Sequence, residues 1–288
     1  MKEKLKKLIF ELTYQLYRTG IRKNKLFVYS IEETIDALID SGKSIVRYGD
    51  AEIRIIEGNS TEFQNYDEVL AKRLYDILQF KNENLLVGIP DIFGSLDMYH
   101  EKSKDFWKEH LFFSRKTYEK YCDENKKYYN AFLSRMYYIY KDKQVCEKWF
   151  RDVKKIWKDK HILVVEGSVS HNGVGNDLFE ETKSIQRIIC PHKNAYASYD
   201  KILEECLKTP KDRLVLLSIG NSAKLLAQDL SEQGYQVIDI GNLDMEYEWF
   251  LEKAEQKYGI KKHEIMTVEE NEEAGYHEFL KQIIAWIK

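Results

Sequence analysis

Short apolar runs alternate with amphipathic segments along most of the chain, and six of the runs end at a glycine or proline. These are SIVRYG (44–49), LLVGIP (85–90), ILVVEG (162–167), RIICP (187–191), LVLLSIG (214–220) and VIDIG (237–241). Near-continuous aliphatic runs of this length are typical of strands that are buried on both faces. Glycine or proline at the end marks a loop that leaves the sheet sharply. The pattern therefore predicts six buried strands.

Segments with helical spacing lie between most of these strands. VLAKRLYDILQF follows the first strand, YDKILEECL follows the fourth and SAKLLAQDLSEQG follows the fifth. Strands that alternate with helices predict a Rossmann-like α/β fold with a mostly parallel, doubly wound sheet. Ligands of such sheets bind outside the carboxyl ends of the strands, so we expect the site at that edge.

Two regions depart from this alternation. Residues 94–160 are rich in Tyr, Trp, Lys and Glu and have no strand-like run, which predicts a helical insert in a domain covering 28–288. Residues 1–27 are basic and predict an amphipathic helix, whose apolar stripe comprises Leu5, Leu8, Ile9, Leu12, Leu16 and Tyr17. Such a stripe either docks on the domain or on a second copy of the chain, or lies on an anionic membrane surface.

Composition fits an ordinary globular protein. The 288 residues carry a net charge of −3, although residues 1–26 alone hold eight Lys or Arg against two Glu. No stretch approaches the roughly 18 continuous apolar residues of a membrane-spanning helix. The four cysteines lack Cys-x-x-Cys spacing, which fits a reducing compartment. We therefore expect a cytoplasmic protein without a nucleic-acid partner, placed at the inner face of the cell membrane if its first helix binds lipid.

Two carboxylates follow the first predicted strand, in RYGDAE. Asp50 and Glu52 are two residues apart, so in an extended segment both side chains point to one side. A Mg²⁺ or Mn²⁺ ion between them would remove their repulsion and keep coordination positions for substrate phosphates. Arg47, on the same side, has the rigid fork needed to hold a phosphate or orient a carboxylate. The alternative is a solvated turn in which the two acids cap a helix.

Two later loops offer places for a phosphate. In SIGNSA, residues 220–222 open a helix after the fifth strand, where N–H groups and the helix dipole favour anions. In GVGNDLF, residues 175–177 lie at a predicted helix start, but Leu178 replaces the third glycine of a dinucleotide fingerprint. A nicotinamide or flavin site is therefore not expected. Each loop also fits a helix cap that binds nothing.

A second group of acids follows the sixth strand, in IDIGNLDMEYEWF. Asp244 and Glu246 are candidates for metal ligation or for a general base that takes the proton of an acceptor hydroxyl. The alternative is a solvated helix face. The neighbouring Met245 and Trp249 indicate that at least part of this segment packs inward.

Taken together, these motifs resemble the GT-D fold glycosyltransferases, a bacterial family first catalogued as a domain of unknown function. The matching segments, in the family's order, are RYGDAE, IWKDKHILVVEG, GVGNDLF, SIQRIICPHKNAYASYDKIL, LLSIGNSAKLLAQDL and GYQVIDIGNLDMEYEWF. The resemblance implies a metal-dependent enzyme that moves a hexose, typically glucose, from a UDP-sugar to a growing glycan. The chain departs from the family pattern at Ala51, His171, Asn221, Ser222 and Asn242.

The resemblance places the family's D-x-E motif on Asp50 and Glu52, as ligands of Mn²⁺ or Mg²⁺. The residues expected to bind the nucleotide sugar are Arg47, Gly49, Gly175, Asn176, Asp177, Asn194, Gly220, Asn221 and Ser222. Asp244 and Glu246 are expected to face the acceptor, a protein- or lipid-linked glycan of a surface polysaccharide or glycoprotein. Two alternatives stay open: a nucleotide-sugar hydrolase, in which water replaces the acceptor, and a catalytically silent scaffold docked at the membrane.

Overall fold

The computed structural model describes residues 2–79, 82–263 and 275–288. Within these residues nine strands form one sheet: β1 (Phe27–Val28), β2 (Ser44–Arg47), β3 (Leu85–Ile89), β4 (Lys127–Asn130), β5 (His161–Gly167), β6 (Ser184–Cys190), β7 (Leu214–Ser218), β8 (Val237–Asp239) and β9 (Ile283–Trp286). Their order across the sheet is β1-β4-β3-β2-β8-β7-β5-β6-β9, and each adjacent pair is parallel. The expectation of a mostly parallel α/β sheet is confirmed.

The described residues also form ten α-helices: α1 (Lys2–Arg18), α2 (Ile31–Ser41), α3 (Asp50–Ile56), α4 (Glu68–Gln79), α5 (Glu101–Tyr121), α6 (Lys143–Lys154), α7 (Tyr199–Leu207), α8 (Ser222–Glu232), α9 (Leu243–Leu251) and α10 (Tyr276–Gln282). Every residue of β3 and β8, and all but one of β5, is buried. Because successive side chains of a strand point to opposite faces, both faces of the central sheet are covered. Phe80, the last residue of the predicted helix VLAKRLYDILQF, lies outside the described residues.

Local chemistry explains where α2 begins and ends. The Ser30 side chain accepts the Glu33 N–H at 3.1 Å, and the Glu33 carboxylate accepts the Ser30 N–H at 2.8 Å. This reciprocal capping satisfies two backbone donors that the first helical turn leaves unpaired. Gly42 then ends the helix with a left-handed φ of 63°, a conformation that costs glycine little.

The six predicted strands are β2, β3, β5, β6, β7 and β8, and they occupy adjacent central positions in the sheet. The outer strands β1, β4 and β9 were not predicted from the sequence. β4 pairs with β1 and β3, so residues 94–160, predicted to be a helical insert, contribute a strand to the main sheet as well as the helices α5 and α6. Its sequence KYYN has the mixed burial of an outer strand and lacks the aliphatic run that identified the others.

The predicted N-terminal helix is α1, and it docks on α5. The Phe10 ring lies 5.0 Å from that of Phe112, and the Tyr14 hydroxyl accepts the Leu96 N–H at 2.9 Å. The guanidinium of Arg115 lies over the Tyr17 ring at 3.8 Å. Of the predicted stripe, only Tyr17 takes part in these contacts, so α1 docks largely through other side chains than those expected. No helix in the described part of the chain is both long and apolar enough to cross a bilayer.

Candidate active site

A cleft of about 830 Å³ opens at the carboxyl ends of the strands. Its walls come from the loops after β2, β3, β4, β5, β6, β7 and β8, so each of the six predicted strands contributes to it. This is the edge of the sheet at which the sequence predicted a site. A neighbouring cavity of about 940 Å³ shares His100, Lys102 and Tyr138 with the cleft. Among the described residues, that cavity contains none of the carboxylates at the strand ends.

The D-x-E segment is helical rather than extended. Asp50 and Glu52 lie in the first turn of α3, and Gly49 is its N-cap. Residues two apart in a helix are separated by about 200° around the axis, so the two side chains leave in different directions. Asp50 is exposed at the cleft, whereas Glu52 is 6% exposed. The expectation that both carboxylates extend from one side of a strand-like segment is therefore wrong, and the helix-cap alternative describes the backbone.

A lysine balances the charge of Glu52. Lys224 Nζ lies 2.9 Å from Glu52 Oε1 and 3.2 Å from Asp239 Oδ2. Asn221 Nδ2 donates to the same oxygen of Glu52 at 3.0 Å, and Gly49 N–H donates to the other at 2.8 Å. Burial disfavours the charged ammonium, but the two carboxylates outweigh it and raise the pKa of Lys224. Glu52 is thus held in place by protein groups, and Asp50 is the member of the pair that faces open space.

Arg47 is anchored beside this pair. Its Nη2 lies 2.8 Å from Asp239 Oδ1, its Nε donates to the Asp239 carbonyl at 2.6 Å, and its Nη1 donates to Ser134. Burial would raise the pKa of Asp239, yet the charges of Arg47 and Lys224 keep it below the usual value. Gly241 has a positive φ of 44°, and a Cβ there would collide with the Arg47 guanidinium. Arg47, Asp239, Lys224 and Glu52 therefore form one charge-balanced network beneath the cleft, here called the floor network.

The start of α8 meets the cleft at its floor. Gly220 turns the chain with a φ of 61°, and Gly220 and Asn221 line the cleft. Ser222 is fully buried, and its hydroxyl has no hydrogen-bond partner among the described residues. N–H groups at a helix start attract anions, above all phosphate. Of the two loops predicted to bind phosphate, this is the one that lies at the cleft.

Among the described residues, cationic side chains outnumber carboxylates on the cleft wall, although the whole chain has a net charge of −3. The cationic side chains are Arg47, Lys102, Arg135, Lys224 and Lys257, and the carboxylates are Asp50, Glu52 and Asp239. Aromatic rings also line it: Tyr48, Phe63, Phe106, Trp107, Phe132 and Tyr138. The indole N–H of Trp107 is buried and has no partner among the described residues. The cleft thus offers cationic, aromatic and hydrogen-bonding groups to an anionic ligand.

The second acid pair lies in the first turn of α9 but not on the cleft wall. Asp244 is fully buried and takes four donors. These are the Gly173 N–H at 2.7 Å, Asn176 Nδ2 at 2.8 Å, Lys262 Nζ at 2.8 Å and His263 Nε2 at 2.9 Å. Burial acts to raise the pKa of Asp244, but the bond from His263 and the charge of Lys262 lower it to about 2. His263, unlike Asp244, lines the cleft.

Glu246 is equally buried. Its Oε2 accepts the N–H groups of Tyr137 and Tyr138 at 3.0 and 2.8 Å. Oε1 has no hydrogen-bond partner among the described residues, and Arg135 Nη1 lies 3.8 Å away. Burial raises the pKa of Glu246. Neither Asp244 nor Glu246 is positioned to touch an acceptor directly, in contrast to the expectation from the sequence.

Besides the buried Ser222, four predicted nucleotide-sugar ligands do not line the cleft: Gly175, Asn176, Asp177 and Asn194. Residues 175–177 form turns rather than a helix start, so that local prediction is wrong. Asn176 binds Asp244, and the Asp177 carboxylate lies 2.7 Å from Lys154 Nζ. Asn194 donates its N–H to the Phe63 carbonyl at 2.8 Å and so fixes the loop that carries a cleft-lining ring. These residues support the walls, whereas Arg47, Gly49, Gly220 and Asn221 line the cleft.

The described residues contain no group of three or more His, Cys, Asp and Glu side chains able to hold a metal. Mg²⁺ and Mn²⁺ often take only one or two carboxylates and complete their shell with water and substrate phosphates. Asp50 has the exposure and chemistry for that role. Glu52 has one oxygen engaged by Lys224 and Asn221, so Asp50 is the better candidate ligand of the two.

Comparisons with known proteins agree with this fold. A family model described as Glycosyltransferase GT-D fold matches residues 45–268. Probable glycosyl transferase Gly from Streptococcus gordonii is 38% identical over 250 residues, which cover 86% of this chain and 36% of that protein. Glycosyltransferase GlyD from Streptococcus pneumoniae serotype 4 is 39% identical over 231 residues, which cover 80% of this chain and 28% of that protein. The chain thus spans about a third of the length of these curated relatives.

A solved structure gives the same result for the fold. It is described as domain of unknown function 1792, with a distinct glycosyltransferase fold, and is 38% identical to this chain. The TM-score is 0.85, and the match covers 92% of this chain and 97% of that one.

Proposed function

The chain belongs to the GT-D fold glycosyltransferase family, and we propose that it transfers a hexose, with glucose as the first candidate, from a UDP-sugar to a glycan acceptor. The observation that carries this proposal is the charge of the cleft. Outside the charge-balanced floor network, the described part of the cleft carries Lys102, Arg135 and Lys257 against the carboxylate of Asp50, in a chain whose net charge is −3. A local positive charge at the carboxyl ends of a parallel sheet suits the diphosphate of a nucleotide sugar.

The donor's diphosphate is assigned to the start of α8 and to Arg135 and Lys257. Gly220 and Asn221 present the helix start, and the buried Ser222 hydroxyl lies beside them. Asp50 would hold Mn²⁺ or Mg²⁺ here, and the bound ion would neutralise charge on the departing UDP. The floor network sets the position of Asp50, because Glu52 anchors the first turn of α3 to Lys224.

The aromatic rings of the cleft are assigned to the uracil and sugar rings. Phe63, Phe106 and Trp107 lie on its walls, and the Trp107 N–H has no partner among the described residues. A buried donor of this kind costs about 1–3 kcal/mol when it is left unpaired, so a ligand oxygen there would be favoured. Stacking tolerates several sugars, which leaves sugar selection to the polar groups.

The acceptor hydroxyl needs a group that removes its proton, and His263 is assigned that role. His263 lines the cleft, and its Nε2 lies 2.9 Å from Asp244 Oδ2. A buried carboxylate that orients an imidazole is a recurrent arrangement for general-base catalysis. Asp244 would then act as a positioning residue behind His263, whereas the sequence suggested that it contacts the acceptor itself. The acceptor proposed is a protein- or lipid-linked glycan of a bacterial surface polysaccharide or glycoprotein.

The test is UDP release from UDP-glucose, UDP-galactose and UDP-N-acetylglucosamine, each with Mn²⁺ or with EDTA and each with or without a glycan acceptor. The proposal expects release from one donor, dependent on acceptor and metal, with loss of release in Asp50→Asn. Asp40→Asn is the matched control, because Asp40 is an exposed carboxylate of α2 outside the cleft. UDP release at the same rate with and without the acceptor would identify a hydrolase instead. No turnover and no binding of any UDP-sugar would leave only the scaffold alternative.

A further inference from the structure

Helix α1 presents an apolar face that nothing in the described structure covers. Leu5, Leu8, Ile9 and Leu12 are 58, 52, 41 and 56% exposed. The opposite side of the helix is occupied, because Phe10 and Tyr14 are buried against α5. Docking on the domain therefore does not explain these four aliphatic side chains. They are here called the α1 stripe.

The charges around the α1 stripe are positive. At about 100° per residue, Lys4 and Lys6 project roughly 90–110° to either side of the centre of the stripe. Both are exposed, and neither forms an ion pair within the described residues. Lys7, on the docked side, is paired with Asp105 at 3.0 Å. The lysines that flank the stripe are thus available to an external anion.

The same end of the chain concentrates the charge. Residues 1–26 carry eight Lys or Arg against two Glu, whereas the whole chain has a net charge of −3. Three of these basic side chains, Lys7, Arg18 and Lys25, pair with acids of the domain, and Lys4, Lys6, Arg22 and Lys23 form no ion pair within the described residues. Apolar surface and positive charge therefore coincide at one place on the molecule.

We propose that the α1 stripe seats the protein on the surface of an anionic lipid bilayer. A helix of this kind lies in the plane of the interface, with its aliphatic side chains among the acyl chains and its lysines at the headgroups. A second copy of the chain fits less well, because a symmetric contact would bring two strongly basic segments together. Anionic headgroups match both the apolar stripe and its charge. The inference does not depend on the proposed transfer reaction.

The test is co-sedimentation of the full chain with vesicles at low ionic strength. One vesicle type contains phosphatidylglycerol and phosphatidylcholine in equal parts, and the other contains phosphatidylcholine alone. We expect the protein to sediment with the first and to stay in the supernatant with the second. Raising the salt concentration should release it, because headgroup charges are screened.

Two variants separate the apolar and the charged contributions. Leu8→Ser/Leu12→Ser should weaken binding on the order of a hundredfold, since two exposed side chains no longer enter the membrane. Lys4→Gln/Lys6→Gln should weaken it about 25-fold, on the basis of roughly fivefold for each basic residue near the headgroups. Val69→Ser/Leu207→Ser is the matched control, because these aliphatic residues are 60 and 44% exposed on other helices. Circular dichroism should show the same fold for all of them.

Three results would overturn the inference. The first is a wild-type protein that stays in the supernatant with anionic vesicles. The second is a Leu8→Ser/Leu12→Ser variant that binds as well as the wild type. The third is a dimer in sedimentation velocity that this variant converts to a monomer, since a second copy would then cover the stripe.

Discussion

The chain contains two D-x-E pairs in equivalent local settings, and they differ in every contact. Asp50 and Glu52 open α3 after β2, and Asp244 and Glu246 open α9 after β8. In the first pair Asp50 is exposed at the cleft. In the second pair both acids are fully buried, and Asp244 takes four donors while Glu246 takes two backbone N–H groups.

This difference separates a carboxylate that can meet a ligand from one that organises the protein. Asp244 ties α9 to residues 173, 176, 262 and 263, which lie far apart in the sequence. Asp50 makes no comparable set of contacts with the residues that the structure describes. The spacing of two acids after a strand therefore does not reveal their role. The number of protein donors around each carboxylate oxygen distinguishes a structural acid from one that can bind a ligand.

Substitution of Asp244 in the second pair should have the largest effect, and it should lower the free energy of unfolding. Asp244→Asn removes one of the two carboxylates paired with the ammonium of Lys262, which is 2% exposed, and leaves Glu248 at 2.5 Å as its remaining partner. Loss of one member of a buried ion pair costs about 3–5 kcal/mol, and Glu248 should keep the loss at the lower end of that range. Urea denaturation followed by circular dichroism should show that loss. A variant as stable as the wild type would mean that Asp244 does not organise α9.

Breaking the first pair should instead affect turnover. Asp50→Asn should lower the rate of sugar transfer on the order of 10²–10³-fold, because a group that holds charge near the reacting atoms is removed. Its stability should stay within about 0.5 kcal/mol of the wild type, since Asp50 is exposed. Initial rates at saturating donor and Mn²⁺ check the first expectation, and urea denaturation checks the second. Near-normal turnover would show that Asp50 is not needed for transfer and that another group holds the metal.

Because the pKa of Asp244 is low, the second pair should make the free energy of unfolding depend on pH in the acid range. The pKa of Asp244 is about 2, compared with an ordinary value of 3.8, so its contribution to stability is present above the ordinary value and is lost as the pH falls towards 2. Between pH 5 and pH 3 this amounts to about 1 kcal/mol. The free energy of unfolding of the wild type should fall by that much more than that of Asp244→Asn. Equal falls would contradict a depressed pKa.

Glu246→Gln should have the smallest effect. The pKa of Glu246 is raised by burial, so ionisation opposes folding and this contribution to stability is lost as the pH rises through the raised value. An amide oxygen can still accept the Tyr137 and Tyr138 N–H groups. We expect a change of less than about 1 kcal/mol at pH 7, measured as for Asp244→Asn. A loss as large as that of Asp244→Asn would show that the two buried acids are equivalent.

The sequence predicted the centre of the fold better than its margins. The aliphatic runs of β2, β3, β5, β6, β7 and β8 reveal strands covered on both faces. β1 has two residues, and β9 alternates between intermediate and exposed positions, so neither produces such a run. β4 was not predicted as a strand, because its KYYN sequence resembles that of the neighbouring helices. It was therefore included in the interval predicted to be helical.

The site was predictable in position but not in its pairings. The rule that ligands bind at the carboxyl ends of strands correctly placed five predicted residues on the cleft wall: Arg47, Gly49, Asp50, Gly220 and Asn221. The partners of the acids are remote in sequence: Lys224 lies 172 positions after Glu52, and Arg135 approaches Glu246 from another loop. No spacing rule connects such residues. Nor did His263 stand out, since it lies well after α9 and follows no predicted strand.

Anomalous diffraction from crystals grown with UDP-glucose and Mn²⁺ would be the sharpest test of the role proposed for Asp50, because it locates the metal independently of turnover. We predict a manganese peak roughly 2.0–2.3 Å from a carboxylate oxygen of Asp50, with the donor diphosphate beside the start of α8. Asp244 and Glu246 should keep their protein donors. A peak at Asp244 or Glu246, or UDP-glucose bound outside the cleft, would contradict this prediction.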